Sequence, residues 1–199
     1  MITIKELYDL RHTLAAEYLG GFTYPWEALQ GIKQLILTLG PALGEDYTEL
    51  SAGVWVHKTA KIAPTAYLGA PCIIGAGTEV RHCAFVREAA LVGENCVVGN
   101  SVELKNVILF DDVQTPHYNY VGDSILGYKA HMGAGSVTSN VKSDKSLVVI
   151  HGREEISTDR KKVGAMLGDF VEVGCNSVLN PGTVAGRNSN VYPTSCVRG

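Results

Sequence analysis

The stretch EVRHCAFVREAALVGENCVVGNSVELKNVILF, residues 79 to 110, decides the fold, because a large apolar residue returns at every sixth position. The same period extends upstream to Val56 and gives ten successive positions without a slip. Helices repeat near 3.6 residues and single strands alternate with period two, so neither element explains this pattern. The ten positions are Val56, Ile62, Leu68, Ile74, Val80, Val86, Val92, Val98, Leu104 and Phe110.

A second series lies two residues before the first and consists mostly of small residues. Its members are Ala60, Ala66, Cys72, Thr78, Ala84, Ala90, Cys96, Val102 and Ile108. Repeats of this kind indicate short strands wound around a triangular prism, with about 18 residues per coil and parallel strands about 4.8 Å apart. The pattern resembles the hexapeptide-repeat family, which implies an all-β solenoid, a left-handed parallel β-helix, with both series in its interior.

The period returns near the C-terminus after an interruption. The aliphatic positions there are Leu167, Val173, Leu179, Ala185, Val191 and Val197, and the small ones are Ser177, Thr183, Ser189 and Ser195. Between the two blocks, Leu126, Met132 and Thr138 keep the spacing in a shifted frame, so we interpret the irregularity around His117 as a short insertion. The charged segment at about 141–165 is predicted to be an excursion loop with its own hairpin.

The first fifty residues have a helical pattern. Thr3 and Glu6 are spaced as a capping box, which predicts a helix that runs to Gly20 and Gly21. Pro25 precedes the amphipathic stretch WEALQGIKQLILTLG and favours a second helix. The sequence therefore predicts an N-terminal helical cap over residues 1–50, on an exposed end of a β-helix domain at 51–199. A partner-binding role for the helices is the alternative.

Composition excludes several classes of protein. The net charge is −3 and no run of basic residues interleaved with aromatic ones is present, so nucleic acid is not an expected partner. No apolar stretch approaches the length of about 18 residues that a membrane helix needs, and the N-terminus lacks the apolar core of a signal peptide. Five cysteines without a CxxC pair favour reduced thiols and a cytoplasmic location.

Two cations occupy positions in the repeat that are small in most units. Arg87 and Lys105 follow Val86 and Leu104 of the aliphatic series and lie 18 residues apart, one full coil, so we expect them to stack in adjacent coils. Like charges placed opposite one another are unfavourable, and a phosphate between them would relieve the repulsion. The alternative is that both cations are solvated or pair with Glu79, Glu88 or Glu103.

His117 lies where the repeat is irregular, beside Tyr118, Asn119 and Tyr120. A histidine can accept a proton near neutral pH, and the neighbouring groups can form hydrogen bonds, so His117 is a candidate general base. A structural histidine is the alternative.

Three segments carry a more specific resemblance: GNSVELKN (99–106), PHYNYVGDSILG (116–127) and HMGAGSVTSN (131–140). They resemble the acetyltransferase domain of the bifunctional enzymes that combine N-acetylglucosamine-1-phosphate uridyltransferase and glucosamine-1-phosphate acetyltransferase activities. The tail from residue 159 onward is similar to archaeal sugar-1-phosphate nucleotidylyltransferases with acetyltransferase activity. The similarity covers about residues 53 to 199.

The resemblance implies an acetyl-CoA-dependent N-acetyltransferase acting on an amino-sugar 1-phosphate, in metabolism of the UDP-N-acetylglucosamine type. It implies no metal, and it implies a homotrimer with sites between subunits. The resemblance also implies roles for individual residues. For the reaction itself it implies a general base at His117, with Asn140 near it, and an oxyanion donor at the Ala134 N–H. For binding it implies a phosphate site at Arg87 and Lys105, sugar contacts at Tyr120, His131, Asn140 and Lys145, and coenzyme contacts at Ala134, Cys175 and Pro193.

The sequence also departs from that family. His131 stands where the bacterial enzymes have Asn, Val141 where they have Tyr, and Cys175 where they have a coenzyme-site Ser. Lys145 matches the family lysine only across a gap. The nucleotidyltransferase domain is replaced by the helical segment, so nucleotidyl transfer is not expected of this chain, and Gly199 falls within a repeat, so we expect a further C-terminal tail.

Two other functions stay open. A non-catalytic sugar-nucleotide-binding module or scaffold trimer would have the same fold, but it would not need His117, Tyr120 and Asn140 together. A zinc enzyme of the γ-carbonic-anhydrase type would offer His82 and His117 but has no third imidazole nearby, and three protein ligands are the norm for catalytic zinc.

Overall fold

A computed structural model describes residues 2–152 and 154–198 of the 199-residue chain. Most of it is a parallel β-solenoid with three faces, preceded by a short helical segment. The predicted β-helix with a short N-terminal helical segment is therefore confirmed. Within the described residues, no helix is long and apolar enough to cross a membrane.

Each face is a ladder of short parallel strands, and three long strands bend from the third face onto the first. The first face contains β2 (Val54–His57), β5 (Cys72–Ile74), the second halves of β7 (Phe85–Val92), β9 (Glu103–Leu109) and β11 (Tyr120–Leu126), β16 (Ala165–Leu167) and β19 (Thr183–Ala185).

The second face contains β3 (Lys61–Ile62), β6 (Glu79–Val80), β8 (Val97–Asn100), β10 (Gln114–His117), β12 (His131–Met132), β17 (Glu172–Val173) and β20 (Asn190–Val191). The third contains β4 (Tyr67–Leu68), the first halves of β7, β9 and β11, then β13 (Val137–Thr138), β18 (Val178–Leu179) and β21 (Cys196–Val197).

The interior is formed by the residues of the six-residue period. Val80, Val86, Val92, Val98 and Leu104 are buried, as predicted. Ile62 and Leu68, in the first coils, are only partly buried. The hydrophobic core of the solenoid is therefore set directly by the repeat.

The irregularity in the middle of the repeat is a shortening of the coils, and the predicted insertion around His117 is wrong. Gln114 pairs with Val97 on one side and His131 on the other, so these coils have seventeen residues. The position of Val92 is taken in the next coil by Leu109, and Phe110 lies one residue out of register. Phe110 is still buried, and its ring packs against Tyr8 at 5.1 Å between centroids.

The N-terminal segment forms several short helices in place of the two predicted long ones. These are α1 (Ile4–Leu7), α2 (Ala16–Gly20) and α3 (Ile32–Leu39), with 3-10 turns at Leu10–His12, Pro25–Gly31 and Gly40–Ala42. Glu6 accepts a hydrogen bond from the Thr3 N–H, as the capping box predicts.

The first predicted helix ends after one turn, because its backbone bonds to the solenoid. The Asp9 N–H donates to Asp169 Oδ2 at 2.7 Å, and the Asp169 N–H donates to the Leu7 carbonyl at 3.0 Å. Burial raises the pKa of the Asp169 carboxyl, which Arg187 contacts at 2.9 Å. Tertiary hydrogen bonds thus replace the local ones that would continue the helix.

The helical segment lies along the first face, whereas the sequence predicted a position on the solenoid's end. Ile73, Leu91, Ile108 and Ile125 alternate with interior residues, so they point outward, yet all four are buried. At the end of this face, β1 (Tyr47–Ser51) pairs antiparallel with β2 and covers its edge.

The charged segment after β13 leaves the ladders of the solenoid. It contains an antiparallel hairpin of β14 (Val149–His151) and β15 (Glu155–Ser157). The returning segment, residues 158–164, forms a single bridge between Lys162 and Val141 before the chain re-enters the solenoid at β16.

Candidate active site

His117 ends strand β10 and lies at the corner between the second and third faces. Its register partner in the preceding coil is Asn100. The Gly135 N–H donates to the His117 carbonyl at 3.0 Å, and the Asn176 N–H donates to the Ala134 carbonyl at 2.9 Å. The Thr194 N–H donates to Cys175 O in the same way, at 2.8 Å. The base and coenzyme residues of the prediction therefore occupy one column along this corner: His117, Ala134, Cys175 and Pro193.

The backbone that carries the His117 side chain is fixed by Asn119. Asn119 is buried, accepts a hydrogen bond from the His117 N–H at 3.2 Å and donates to the Gly133 and Ser136 carbonyls. The residue between them, Tyr118, has a φ of 53°, the left-handed conformation that turns the corner. His117 itself is exposed, so its imidazole is accessible to a ligand on a rigid backbone.

The backbone N–H of Ala134 is a candidate hydrogen-bond donor to a ligand at this corner. In residues 2–152 and 154–198 it donates to no protein group, although the Ala134 carbonyl is bonded to the next coil. Ala134 is partly exposed and one coil from His117, about 4.8 Å along the solenoid. An unpaired backbone N–H is the type of donor that can stabilise the oxyanion of an acyl transfer.

Tyr120 begins strand β11 on the third face, three residues after His117. Its hydroxyl accepts a hydrogen bond from Asn140 Nδ2 at 3.2 Å. Burial raises the pKa of the Tyr120 phenol, and the nearby charges of Asp123 and Glu103 raise it further. The phenol is therefore protonated at neutral pH and keeps its own O–H as a donor.

A buried carboxylate, Asp123, joins the polar residues at the far edge of this face. It accepts hydrogen bonds from Asn106 Nδ2 at 2.8 Å and Asn140 Nδ2 at 2.5 Å, and the Lys105 amine lies 3.4 Å from its oxygens. Lys105 and Asn106 belong to the coil before Asp123, and Asn140 belongs to the coil after it. Asp123 thus holds Lys105 and Asn140 in fixed relation to Tyr120.

Arg87 and Lys105 lie in adjacent coils, but they do not face each other in register. Lys105 pairs with Glu88 in the strand ladder, and Arg87 is the extra residue of a bulge. Arg87 contacts Glu103 at 3.3 Å, which was one of the alternatives, and Lys105 contacts Asp123. Each cation therefore already has a carboxylate partner.

Two predicted site residues lie apart from this group. His131 begins β12 on the second face, beside Gln114, and its Nδ1 lies 2.8 Å from Glu172 Oε2. Lys145 is exposed in the excursion, where its N–H donates to the Lys142 carbonyl. Neither residue is brought into contact with Tyr120 or Asn140.

Asp123, Asn106 and Asn119 were not predicted as site residues. Asn106, Asp123 and Asn140 are each seventeen residues apart, as are Asn100, His117 and Ala134. A search of the sequence at a period of seventeen would have aligned both sets of three, which are a second column of Asn106, Asp123 and Asn140 and the first part of the corner column. Within the described ranges, no three His, Cys, Asp or Glu side chains are grouped closely enough to share a metal ion.

The family model of the GMPPB C-terminal domain matches residues 71–199, the part of the chain that contains both columns. The chain belongs to the GMPPB C-terminal domain family. In this member of the family, the first face of the matched region is covered by a helical segment that lies outside the match.

Curated relatives of this GMPPB C-terminal domain protein are bifunctional enzymes. A bifunctional sugar-1-phosphate nucleotidylyltransferase/acetyltransferase of Sulfurisphaera tokodaii is 32% identical over 96 residues, which is 48% of this chain and 24% of that protein. The bifunctional protein GlmU of Leifsonia xyli is 30% identical over 66% of this chain and 24% of its own length. The chain thus spans about a quarter of the length of these relatives.

Solved structures similar to this GMPPB C-terminal domain protein include two transferases. A hexapeptide transferase family protein from Anaplasma phagocytophilum aligns over 67% of this chain and 70% of its own, with 20% identity and a TM-score of 0.43. The acetyltransferase domain of PglB from Neisseria gonorrhoeae, in complex with acetyl coenzyme A, aligns over 76% and 60%, with 15% identity and a TM-score of 0.36.

Proposed function

We propose that the protein is an acetyl-CoA-dependent N-acetyltransferase whose acceptor is an amino-sugar 1-phosphate. The observation that carries this proposal is the corner column of His117, Ala134, Cys175 and Pro193. An exposed imidazole and an unpaired amide lie one coil apart at one end of this column, and the bonded pair of Tyr120 and Asn140 lies on the adjoining face. A base, an oxyanion donor and a polar surface for a sugar are the parts that acetyl transfer to an amine needs.

The chemistry at this corner is acyl transfer from a thioester to an amine. His117 accepts a proton from the amino group as its nitrogen attacks the thioester carbonyl carbon. The Ala134 N–H donates to the oxyanion of the tetrahedral intermediate. The carbon–sulfur bond then breaks, the thiolate of CoA leaves, and the proton on His117 returns to that sulfur. An amide and free CoA are the products.

The same geometry supports a place for each substrate. Acetyl-CoA extends along the corner from Ala134 past Cys175 to Pro193, and the sugar lies on the third face against Tyr120 and Asn140. Arg87 and Lys105 are close enough to the Asn140 end of this face to bind its phosphate, after exchange of their carboxylate partners. Acetyltransferase activity in the printed name of the Sulfurisphaera relative supports the same reaction class.

A non-catalytic sugar-nucleotide-binding or scaffold role is the second candidate. The observation that favours it is that Arg87 and Lys105 both pair with carboxylates, so neither cation is unoccupied. The exposed imidazole and the free Ala134 amide have no role in a scaffold, and this places the enzyme first.

We also propose a cytoplasmic homotrimer with the site between subunits. Tyr67, Phe85 and Val178 are exposed apolar residues of the third face, in the same register row as Tyr120, and a second copy would cover them. All five cysteines are free, which suits a reducing compartment.

The experiment that tests the proposed reaction is release of free thiol from acetyl-CoA, measured against a panel of amino-sugar 1-phosphates. Mass spectrometry of the sugar product should show the added acetyl group on nitrogen. If no sugar in the panel raises the rate of thiol release above the rate in buffer alone, the result contradicts the proposal and favours the scaffold.

A further inference from the structure

A cleft lies directly beyond Asp123, between the N-terminal segment and the returning segment of the excursion. Its volume is about 520 Å³, within the range of small-molecule sites. Asn106 and Asp123 line it from the solenoid, and Leu29 and Gln30 line it from the N-terminal segment, where the Leu29 carbonyl accepts a hydrogen bond from Asn106 Nδ2 at 3.2 Å. The cleft is therefore continuous with the cluster that holds Lys105 and Asn140.

The remaining wall is a run of charged residues. Asp159, Arg160, Lys161 and Lys162 all line the cleft, so three consecutive cations border a space with one acidic neighbour in the same segment. Asp123, on the solenoid side, is already paired with Lys105. The cleft thus carries a net positive charge.

The cations of the cleft differ from Arg87 and Lys105 in their partners. In the part of the chain that the structure describes, no carboxylate lies within 4 Å of the charged groups of Arg160, Lys161 or Lys162. Arg160 Nη2 donates to the Glu27 carbonyl and to Gln30 Oε1, both at 3.3 Å. These neutral acceptors fix the guanidinium without neutralising it.

The returning segment also bonds to the residues that follow β13. Lys162 bridges Val141, and the Val163 N–H donates to the Asn140 carbonyl at 3.0 Å. The backbone of the cations is thereby attached to the residue that contacts Tyr120. A ligand in the cleft and a sugar on the third face would be held by the same piece of chain.

We propose that this cleft is a phosphoryl-binding subsite of the sugar substrate, formed by Lys161 and Lys162 with Arg160 as a fixed contributor. The inference rests on the proposed function for the identity of the sugar, but not for the presence of the anion site. A phosphoryl group matches the cleft because three cations with no acidic partner can neutralise its charge through charge-assisted hydrogen bonds. The phosphoryl group belongs either to a sugar 1-phosphate or to the diphosphate of a nucleotide-linked sugar.

The test is calorimetric titration of the full chain with glucosamine 1-phosphate and, separately, with UDP-glucosamine. Lys161→Gln and Lys162→Gln are both substitutions of exposed residues, so folding should be preserved. Each should raise Kd by about tenfold or more, the size expected for loss of one charge-assisted hydrogen bond. Lys142→Gln removes the same charge from the same excursion but lines a different pocket, and it should bind as the wild type does.

The two ligands identify the source of the phosphoryl group. If the substitutions weaken both ligands by the same factor, the cleft shares with Lys105 the binding of the phosphate attached to the sugar. If only UDP-glucosamine is weakened, the cleft binds the second phosphate, and the subsite selects nucleotide-linked sugars. Unchanged Kd in both variants, or an equal loss in Lys142→Gln, would overturn the proposal.

Failure of this inference is distinguishable from failure of the proposed function. If binding is weakened in the two variants but the wild type transfers no acetyl group, the subsite is supported and the proposed enzyme activity is contradicted. If the wild type transfers the acetyl group and both variants keep its KM for the sugar substrate, the proposed activity is supported and the subsite is contradicted.

Discussion

The Lys105 amine lies 3.4 Å from both carboxylate oxygens of Asp123, and both side chains are largely buried, with 16% and 7% of their surfaces exposed. Asp123 also accepts from Asn106 and Asn140, so this one carboxylate connects three coils of the solenoid. Arg87 and Glu103 form the neighbouring pair, at 50% and 33% exposure. The two ion pairs therefore provide a matched comparison of a buried and an exposed interaction.

The buried pair should contribute much more to stability than the exposed one. Asp123→Ala leaves a buried ammonium and two amides without their acceptor and should lower the free energy of unfolding by about 3 to 5 kcal/mol. Glu103→Ala should change it by less than about 1 kcal/mol, because the exposed pair is screened by water. Urea denaturation of the two variants measures both values. Equal losses would contradict the role given to Asp123.

Acetyl-CoA should protect one cysteine from alkylation. Cys83, Cys175 and Cys196 are exposed, whereas Cys72 and Cys96 are buried. Burial raises the pKa of the Cys72 thiol to about 12 and also raises that of Cys96, so neither should react at neutral pH. Cys175 lies in the corner column, and bound acetyl-CoA should slow its reaction with N-ethylmaleimide.

Mass spectrometry of the labelled peptides gives the rate at each cysteine in a single experiment, with Cys83 and Cys196 as internal controls. Protection of Cys175 alone is the expected result. Equal rates at Cys175 with and without acetyl-CoA would mean that the coenzyme binds elsewhere.

The acidic range of pH should reveal how Asp169 holds the N-terminal segment. Burial raises the pKa of Asp169, and also that of Asp111, so the folded state favours their protonated forms. This contribution to stability is fully present below the ordinary aspartate pKa and is lost as the pH rises through the raised value. Asp169→Asn should therefore reduce the fall in unfolding free energy with rising pH across that window.

The measurement is urea denaturation at several acidic pH values. Asp144→Asn is the control, because hydrogen bonds from Ser146 lower the pKa of this exposed carboxyl and its removal should not reduce that fall. A slope in Asp169→Asn equal to that of the wild type would contradict the prediction.

The sequence predicts the solenoid well because interior residues such as Val80 and Val98 must repeat with the geometry of the coil. It does not predict the shortened coils, because Phe110 is apolar and fits the six-residue period while Leu109 takes the interior position. The predicted length of the helix from Thr3 onward is wrong for a different reason. Its end is decided by hydrogen bonds to Asp169, far away in the sequence.

The candidate site likewise has features that the sequence predicts and features that it does not. His117, Ala134, Cys175 and Pro193 were assigned by resemblance, and their shared column follows from the regular coil. The partners of Lys105 and His131 depend on which carboxylate lies in the adjacent coil, and Asp123 and Glu172 emerge only when the register is known. Local pattern therefore predicts positions, whereas pairing requires the three-dimensional register.

The central claim is that His117 removes the proton from the amino group, and the most direct test compares kcat in the wild type, His117→Ala and His131→Ala. The acceptor is glucosamine 1-phosphate, and thiol release from acetyl-CoA is the signal. We expect His117→Ala to lower kcat by about 10² to 10⁴-fold with its affinity for acetyl-CoA unchanged, because the residue is exposed and acts only as a base. His131→Ala should retain nearly full activity, since His131 pairs with Glu172 on another face. Loss of turnover in His131→Ala together with full turnover in His117→Ala would contradict the account.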